Sequence, residues 1–125
     1  MNCSVLIAGG PLHFNWFNPL HKTKFNDHNL FIFAEALQLA IDSCVEKADI
    51  YDICQKVDAF IEEELQKTFS SKKSKKLERG IAFPCCISVN EICGHFSPLK
   101  EDSYELKMED LVKVELGAHI DGFPA

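Results

Sequence analysis

Residues 80–98, GIAFPCCISVNEICGHFSP, hold several side chains that do chemistry in proteins. His95 follows a strand-like run and stands where a loop begins, and loops on a rigid scaffold often present side chains to ligands. Cys85 and Cys86 are adjacent in a predicted strand, so their side chains point to opposite faces and cannot hold one zinc ion as a C-x-x-C loop does. A lone histidine is more often structural than functional, but its place at the start of a loop also suits a functional role. Both interpretations of His95 therefore stay open.

Glu115 is an acid inside a second apolar run, Val112–Leu116. If the face of the sheet that carries it is open, the carboxylate simply faces water. If that face is closed, the carboxylate needs a cation or a hydrogen-bond donor, since a buried unpaired charge is costly. Cys93, His95 and His119 supply further donor atoms, but they follow no recognised spacing of metal ligands, and nothing in the sequence marks a thiol as an activated nucleophile.

The composition predicts one globular domain. The chain has 125 residues, of which 46% are hydrophobic and 26% charged. A net charge of −6 argues against bulk attraction to nucleic acid or anionic lipid, so only a local patch could bind phosphate. Six cysteines without a C-x-x-C pair are expected to be reduced thiols of a cytosolic or nuclear protein. The short apolar runs predict neither a signal peptide nor a membrane span, and hence a soluble protein.

A basic segment, SSKKSKKLERG, puts five positive charges into eight residues: Lys72, Lys73, Lys75, Lys76 and Arg79. It is typical of a solvated linker, or of the end of a helix, where cations suit the negative end of the dipole. The alternative is a patch that grips the phosphates of RNA. No aromatic residues are interleaved with the lysines, which weakens the second interpretation.

The elements expected along the chain are two helices followed by strands. Apolar residues at three- and four-residue steps predict a helix over 29–46, and a longer stripe after Asp49, a good N-cap, predicts a second helix. Ile81–Val89 and Leu111–Ile120 are predicted strands, and Ile92–His95 could return as the second arm of a hairpin. These elements predict an α+β fold with two helices packed on a mostly antiparallel sheet.

Residues 1–29 are expected to form an irregular N-terminal arm, because turn signals follow one another too closely for a regular element. Four aromatic residues could pin this arm to a surface, since large exposed apolar groups are unfavourable in water; they are Phe14, Trp16, Phe17 and Phe25. The domain proper is expected to span 30–125.

Two long motifs carry a resemblance to a known family. GIAFPCCISVNEICGHFSPLK, followed by LKMEDLVKVELGAHIDGF, resembles the pita-bread metallopeptidase family of methionine aminopeptidases. The stronger similarity is to the non-catalytic, proliferation-associated branch, whose members bind growth-factor receptors or act in ribosome biogenesis. The resemblance covers roughly residues 39–125, including VDAFIEEELQKTF and the basic segment. It implies that the chain is the first half of a pita-bread fold.

The resemblance also assigns family positions to two residues. His95 occupies the place of the histidine that orients substrate near the metal in active members. Glu115 stands where the family has an aspartate that bridges two metal ions, and a second aspartate would fall one position past Ala125. The other ligands come from the second half of the fold. An incomplete set of ligands cannot hold two metal ions about 3.5–4 Å apart. We therefore expect no catalytic residue, no metal and no cofactor, and we expect His95 to be vestigial.

The expected function is therefore that of a truncated, non-enzymatic binding protein. The resemblance implies ribosomal RNA, preribosomal particles or regulatory proteins as partners, in the cytoplasm and nucleolus and not at a membrane. Two alternatives stay open: a metal-dependent methionine aminopeptidase that needs a missing half, and a truncated product without an independent role. An exposed sheet edge could also lead to self-association.

Overall fold

The computed structural model describes residues 4–7, 24–68 and 77–124, with side chains from residue 30 onward. Two α-helices pack on one face of a four-stranded sheet. The elements are β1 (Ser4–Ile7), α1 (Lys24–Ser43), α2 (Ile50–Lys67), β2 (Arg79–Val89), a 3-10 turn (Lys100–Asp102), β3 (Leu111–Ile120) and β4 (Phe123–Pro124). Two of the three strand pairings are antiparallel, which confirms the predicted α+β arrangement. No described helix is long and apolar enough to cross a bilayer.

Helix α2 forms where the apolar stripe predicted it. Asp49 is its N-cap, and the Asp49 carboxylate accepts a hydrogen bond from the backbone N–H of Asp52 at 3.2 Å. This bond satisfies one of the free donors of the first turn. The stripe is buried against the sheet, and its members are Ile50, Ile53, Cys54, Val57, Ile61 and Leu65.

Helix α1 begins earlier and ends earlier than the predicted 29–46. Its described part starts at Lys24, so the Asn26-Asp27 turn signal lies in the first turn, where such residues are well tolerated. It ends at Ser43, and the connection to α2 passes through Lys47 in a left-handed conformation (φ 67°). The spacing of apolar residues alone does not show where α1 ends and the connection to α2 begins.

Strands β2 and β3 form the centre of the sheet. They pair antiparallel from Arg79↔Ile120 to Val89↔Val112, which confirms both predicted strands. The register shifts between Ile81 and Cys86. Pro84 lies within this irregular stretch, and it has no N–H to donate to a regular ladder.

The predicted irregular arm over 1–29 is wrong at two places. Ser4–Ile7 is a strand that pairs in parallel with Leu111–Val114 of β3, and helix α1 already includes residues 24–29. Pairing between segments more than a hundred residues apart is invisible to local pattern analysis. The aromatic residues Phe14, Trp16 and Phe17 lie outside the described residues.

The predicted hairpin arm at Ile92–His95 is also wrong, because these residues form a turn and a loop. Asn90 (φ 51°) and His95 (φ 61°) are left-handed, a conformation that a strand does not accommodate. The antiparallel partner of β2 is instead β3, which follows the long loop.

The core lies between the helices and the sheet. Alternate residues of β3 enter it, namely Val112, Val114, Leu116, Ala118 and Ile120. Lys113 and Glu115 therefore lie on the other face, where the residues directly opposite on β2 are Ser88 and Cys86. Cys85 belongs to the cluster between the helices and the sheet, whereas Cys86, although also buried, lies on the other face, as their adjacency predicted.

Candidate functional site

The loop over residues 90–98 crosses the sheet face that the helices leave uncovered, and Asn90 fixes its start. The Asn90 side chain donates to Asp110 Oδ1 at 2.9 Å and accepts from the backbone N–H of Leu111 at 3.0 Å. The backbone carbonyl oxygen of Asn90 accepts a hydrogen bond from Lys113 Nζ at 2.8 Å. These bonds hold the left-handed turn at Asn90 against the start of β3.

Glu115 fixes the middle of the same loop. Its Oε2 accepts the backbone N–H of His95 at 2.6 Å and lies 3.5 Å from His95 Nδ1. The Glu115 side chain is 23% exposed, whereas that of His95 is 86% exposed. The loop approaches so closely that a Cβ on Gly94 would lie 3.2 Å from Glu115 Oε2. The face is therefore partly closed by the loop itself, and a backbone N–H supplies the donor that the carboxylate needs.

The end of the loop is bonded to β2. The backbone N–H of Phe96 donates to Ser88 Oγ at 3.2 Å, and Ser88 is fully buried. The carbonyl oxygen of Phe96 accepts from the backbone N–H of Ile87 at 2.8 Å. The outer edge of β2 is thus covered by the loop, and the Phe96 ring packs against Tyr104 with a centroid distance of 5.8 Å.

The candidate metal ligands do not converge in the described part of the chain. No group of three or more His, Cys, Asp or Glu side chains there is placed to share an ion. Among the residues with described side chains, Nδ1 of His119 is buried and has no hydrogen-bond partner. Burial, and then the charge of Glu115, raises the pKa of the Cys86 thiol to about 11, so Cys86 is protonated at neutral pH.

The structure describes only one of the five predicted RNA-binding residues. Lys72, Lys73, Lys75 and Lys76 lie outside the described residues. The Arg79 guanidinium donates from Nη1 to the carbonyl oxygen of Thr68, at the end of α2. Arg79 also borders a cleft of about 480 Å³ whose lining includes Glu62 and Glu63. Two acids beside Arg79 make this cleft an unfavourable place for phosphate.

Sequence analysis did not identify Asp58, whose carboxylate bonds to the outer edge of β2 at Cys85. Asp58 on α2 accepts the backbone N–H of Cys85 through Oδ1 at 2.8 Å. Cys54, one helical turn before Asp58, and Cys85 are both buried in the cluster that joins α2 to β2. The bond between Asp58 and Cys85 joins residues 27 positions apart, on two different elements, so no local motif reveals it.

Comparison with solved structures identifies the class of protein. The structure of a thermophilic Arx1 superimposes with a TM-score of 0.70 and 31% sequence identity, over 78% of this chain and 26% of that one. Together with the two helices on a mostly antiparallel sheet, this match assigns the pita-bread, aminopeptidase-like fold. No protein-family model matches the chain.

Sequence comparison identifies the relatives more narrowly. The chain is 51% identical over 94 residues to ErbB-3 binding protein 1 of Arabidopsis thaliana, which covers 75% of this chain and 24% of the relative. It is 49% identical over 108 residues to proliferation-associated protein A of Dictyostelium discoideum, with 86% and 27% covered. A methionine aminopeptidase of Methanocaldococcus jannaschii is 46% identical over 57 residues, which are 46% of this chain and 19% of the enzyme.

The chain is therefore a homologue of the proliferation-associated and ErbB-3 binding proteins, with methionine aminopeptidases among its further relatives. It spans about a quarter of the length of the first two. The resemblance expected from its two long motifs is confirmed.

Proposed function

We propose that this chain is a non-enzymatic binding protein that associates with RNA of preribosomal particles through its basic segment, residues 72–79. The observation that carries the proposal is its similarity to proliferation-associated protein A and to Arx1, over most of its length. The proposal includes association with regulatory proteins, which the name of the Arabidopsis relative, ErbB-3 binding protein 1, supports. The proposed location is the cytoplasm and nucleolus.

The geometry around Glu115 supports a role other than hydrolysis. A dinuclear hydrolytic centre needs several carboxylates and an imidazole around two cations about 3.5–4 Å apart. In the described residues only His95 and Glu115 stand at family positions, and Glu115 Oε2 is already bonded to the His95 backbone N–H at 2.6 Å. The carboxylate holds a loop in place, a role that needs no metal. Within the described residues, these two donors alone do not make a site for a pair of metal ions.

The charge distribution restricts where RNA phosphates can bind. The chain as a whole carries −6, so an interaction with phosphate depends on the clustered lysines. Arg79 is bonded to the Thr68 carbonyl oxygen and lies beside Glu62 and Glu63. We therefore assign the phosphate contacts to Lys72, Lys73, Lys75 and Lys76, with a smaller role for Arg79.

The test is a titration of the chain with single-stranded ribosomal RNA fragments at several salt concentrations. Each lost phosphate contact should lower the slope of log K against log salt by about 0.7. Lys72→Ala/Lys73→Ala should therefore weaken binding and flatten the slope, whereas the matched control Lys100→Ala/Lys107→Ala, which leaves the same net charge, should not. Binding that is independent of salt, or equal in the two variants, would contradict the proposal. Turnover of a methionyl peptide with added Mn²⁺ or Co²⁺ would favour an aminopeptidase instead.

We also propose that the chain can associate with itself through β1. The outer N–H groups of Cys85 and Ile87 on β2 are already bonded, to Asp58 and to Phe96. In the described part of the sheet no strand pairs with the outer side of β1, and such an edge can accept a strand from another chain. Light scattering over a range of concentrations should show a dimer that Val5→Pro weakens. A monomer at every concentration would contradict this arrangement.

A further inference from the structure

The segment that leads into β3, residues 99–111, exposes several apolar side chains. Nine large apolar side chains are exposed among the residues whose side chains the structure describes, and four of them belong to this segment. They are Leu99, Tyr104, Met108 and Leu111. Exposed apolar groups that are concentrated in one place mark a surface that contacts a partner. We call the exposed side chains of residues 99–111 the 99–111 surface.

The backbone under this surface is held in place. Leu106 is buried, and its N–H donates to the carbonyl oxygen of Ala48 at 2.9 Å. The carbonyl oxygen of Leu106 accepts from the N–H of Lys47 at 2.8 Å, and that of Tyr104 accepts from the N–H of Ile50 at 3.2 Å. The segment is therefore fixed to the connection between α1 and α2. A surface on fixed backbone binds a partner at a lower entropic cost.

Tyr104 borders a cleft of about 170 Å³, whose lining also includes Glu91, Glu105, Lys107 and Asp110. Pockets for drug-sized ligands measure about 300–1,000 Å³, so this cleft suits a single side chain of a partner. Three acids and one lysine give the lining a net negative charge. A side chain that enters the cleft should therefore be a cation.

Two of the three acids are available to a partner. The Asp110 carboxylate accepts from the backbone N–H of Lys107 at 2.8 Å and from Asn90 Nδ2 at 2.9 Å, so it serves to hold the turn before β3. Glu91 and Glu105 are exposed, and their carboxylates make no hydrogen bond or salt bridge within the described part of the chain. Over residues 99–111 as a whole, five acids stand against two lysines.

We propose that the 99–111 surface docks a basic peptide segment of another protein, with an arginine side chain in the cleft and a neighbouring aliphatic side chain against Met108. A guanidinium can bond to the carboxylates of Glu91 and Glu105 and stack on the ring of Tyr104. Tyrosine and arginine are also the residues that most often dominate the binding energy of an interface. The inference goes beyond the proposed RNA contacts, which belong to the basic segment and have the opposite charge.

The test selects short random peptides displayed on phage, with the folded full chain as the target. The enriched peptides should share an arginine that is flanked by aliphatic or aromatic residues. The most enriched peptide is then synthesised with a fluorescent label and titrated with the chain by anisotropy. Enriched peptides without a basic residue, or a selection that enriches no peptide, would overturn the proposal. This first step uses the unaltered chain.

Charge variants locate the peptide on the chain. Glu91→Gln/Glu105→Gln should weaken binding about tenfold, the loss expected for one hydrogen bond to a charged group. The matched control Glu62→Gln/Glu63→Gln removes the same charge from α2 and should leave the affinity unchanged. Lys107→Ala should strengthen binding, because it removes a positive charge from the lining of the cleft. Equal losses in the two glutamine pairs would show attraction to the acidic chain as a whole and would contradict the assigned site.

An apolar variant separates docking from simple charge attraction. Met108→Ser should weaken binding of the same peptide, whereas Val45→Ser, which changes an exposed apolar residue outside the 99–111 surface, should not. Equal affinities of these two variants would contradict the aliphatic contact. Light scattering tests a second copy of the chain as the occupant. A dimer that Glu91→Gln/Glu105→Gln abolishes would assign the surface to self-association and overturn the proposal.

The peptide site and the RNA site can fail separately. Lys72→Ala/Lys73→Ala should weaken RNA binding and leave peptide binding unchanged, and Glu91→Gln/Glu105→Gln should weaken peptide binding without weakening RNA binding. Peptide binding that RNA fragments abolish by competition would place both ligands on one surface, and that result would contradict the inference.

Discussion

The carboxylate of Glu115 on β3 accepts the backbone N–H of His95 at 2.6 Å, although the imidazole of His95 is 86% exposed to solvent. The shorter contact is thus made to the backbone of the loop, and the ring nitrogen Nδ1 lies farther from the same oxygen, at 3.5 Å. His95 is left-handed (φ 61°), a conformation that costs free energy for a residue other than glycine. Glu115 stabilises this conformation and so fixes the middle of the loop over residues 90–98.

We expect Glu115→Ala to destabilise the protein more than His95→Ala does. Removing the carboxylate takes away the acceptor of the His95 N–H, and the lost bond should cost about 0.5–1.5 kcal/mol. Removing the exposed ring should cost about 0.5 kcal/mol or less. Urea denaturation measures both values. Glu115→Gln keeps an acceptor oxygen and should lie between them, and an equal loss for Glu115→Gln and Glu115→Ala would argue against the bond.

Gly117 on β3 lies under the ring of Phe83 on β2. A Cβ at Gly117 would come within 2.6 Å of Phe83 Cε1, closer than carbon atoms approach without displacement. Gly117→Ala should therefore lower the free energy of unfolding by about 1–3 kcal/mol, because the ring must move. Phe83→Ala alone provides the control, and the double variant should recover most of the loss that Gly117→Ala causes. Additive losses in this cycle would contradict the contact.

Asp58 should make stability depend on pH. Burial, and to a lesser degree the charge of Glu62, raises the pKa of Asp58 above 3.8, although the bond from the Cys85 N–H acts in the opposite direction. The folded state therefore holds the proton more tightly than the unfolded state does. This contribution to stability is present at pH values below the unfolded pKa and is lost as pH rises through the folded pKa.

Asp58→Asn tests this dependence, because the amide oxygen can still accept the Cys85 N–H and carries no charge. Relative to the unaltered chain, the variant should gain stability as pH rises from 3 to 7. Asp58→Ala loses the acceptor as well and should be less stable than Asp58→Asn throughout the range. Thermal unfolding at several pH values measures the difference, and a difference that does not vary with pH would show that the pKa of Asp58 is not raised.

Sequence patterns predicted those helices and strands whose signal lies within a short stretch of the sequence. The stripe of α2 and its Asp49 cap lie within twenty residues, and the alternation of β3 is visible in ten. Strand β1 was missed because its partner Leu111–Val114 lies at the far end of the chain. The turn at residues 90–95 was missed because left-handed residues other than glycine leave little trace in a hydrophobic pattern.

The candidate site was predicted as a set of residues but not as an arrangement. His95 and Glu115 were both named from the family motifs, and the structure brings them together. Their contact runs through a backbone N–H, which is common to every residue type except proline and therefore has no sequence signature. The bond from the Cys85 N–H to Asp58 likewise depends on how α2 packs against β2. Such contacts between elements follow from the tertiary fold.

Ser103 joins the segment before β3 to the start of α2. Its hydroxyl donates to Asp49 Oδ1 at 2.8 Å and accepts from the backbone N–H of Tyr51 at 2.9 Å, so that it completes the cap that Asp49 begins. Nearby, the backbone N–H of Leu106 donates a hydrogen bond to the carbonyl oxygen of Ala48 at 2.9 Å.

We expect Ser103→Ala to destabilise the chain by about 1–2 kcal/mol, since it leaves a helix N-terminal N–H without a partner. Asp49→Ala should cost a similar amount, and Asp49→Ala/Ser103→Ala should cost less than the sum, because the two side chains bond to each other. Lys100→Ala is a control on the exposed 3-10 turn and should change little. Chemical denaturation of the four variants gives the coupling energy, and a coupling energy of zero would mean that the Ser103 hydroxyl does not support the cap.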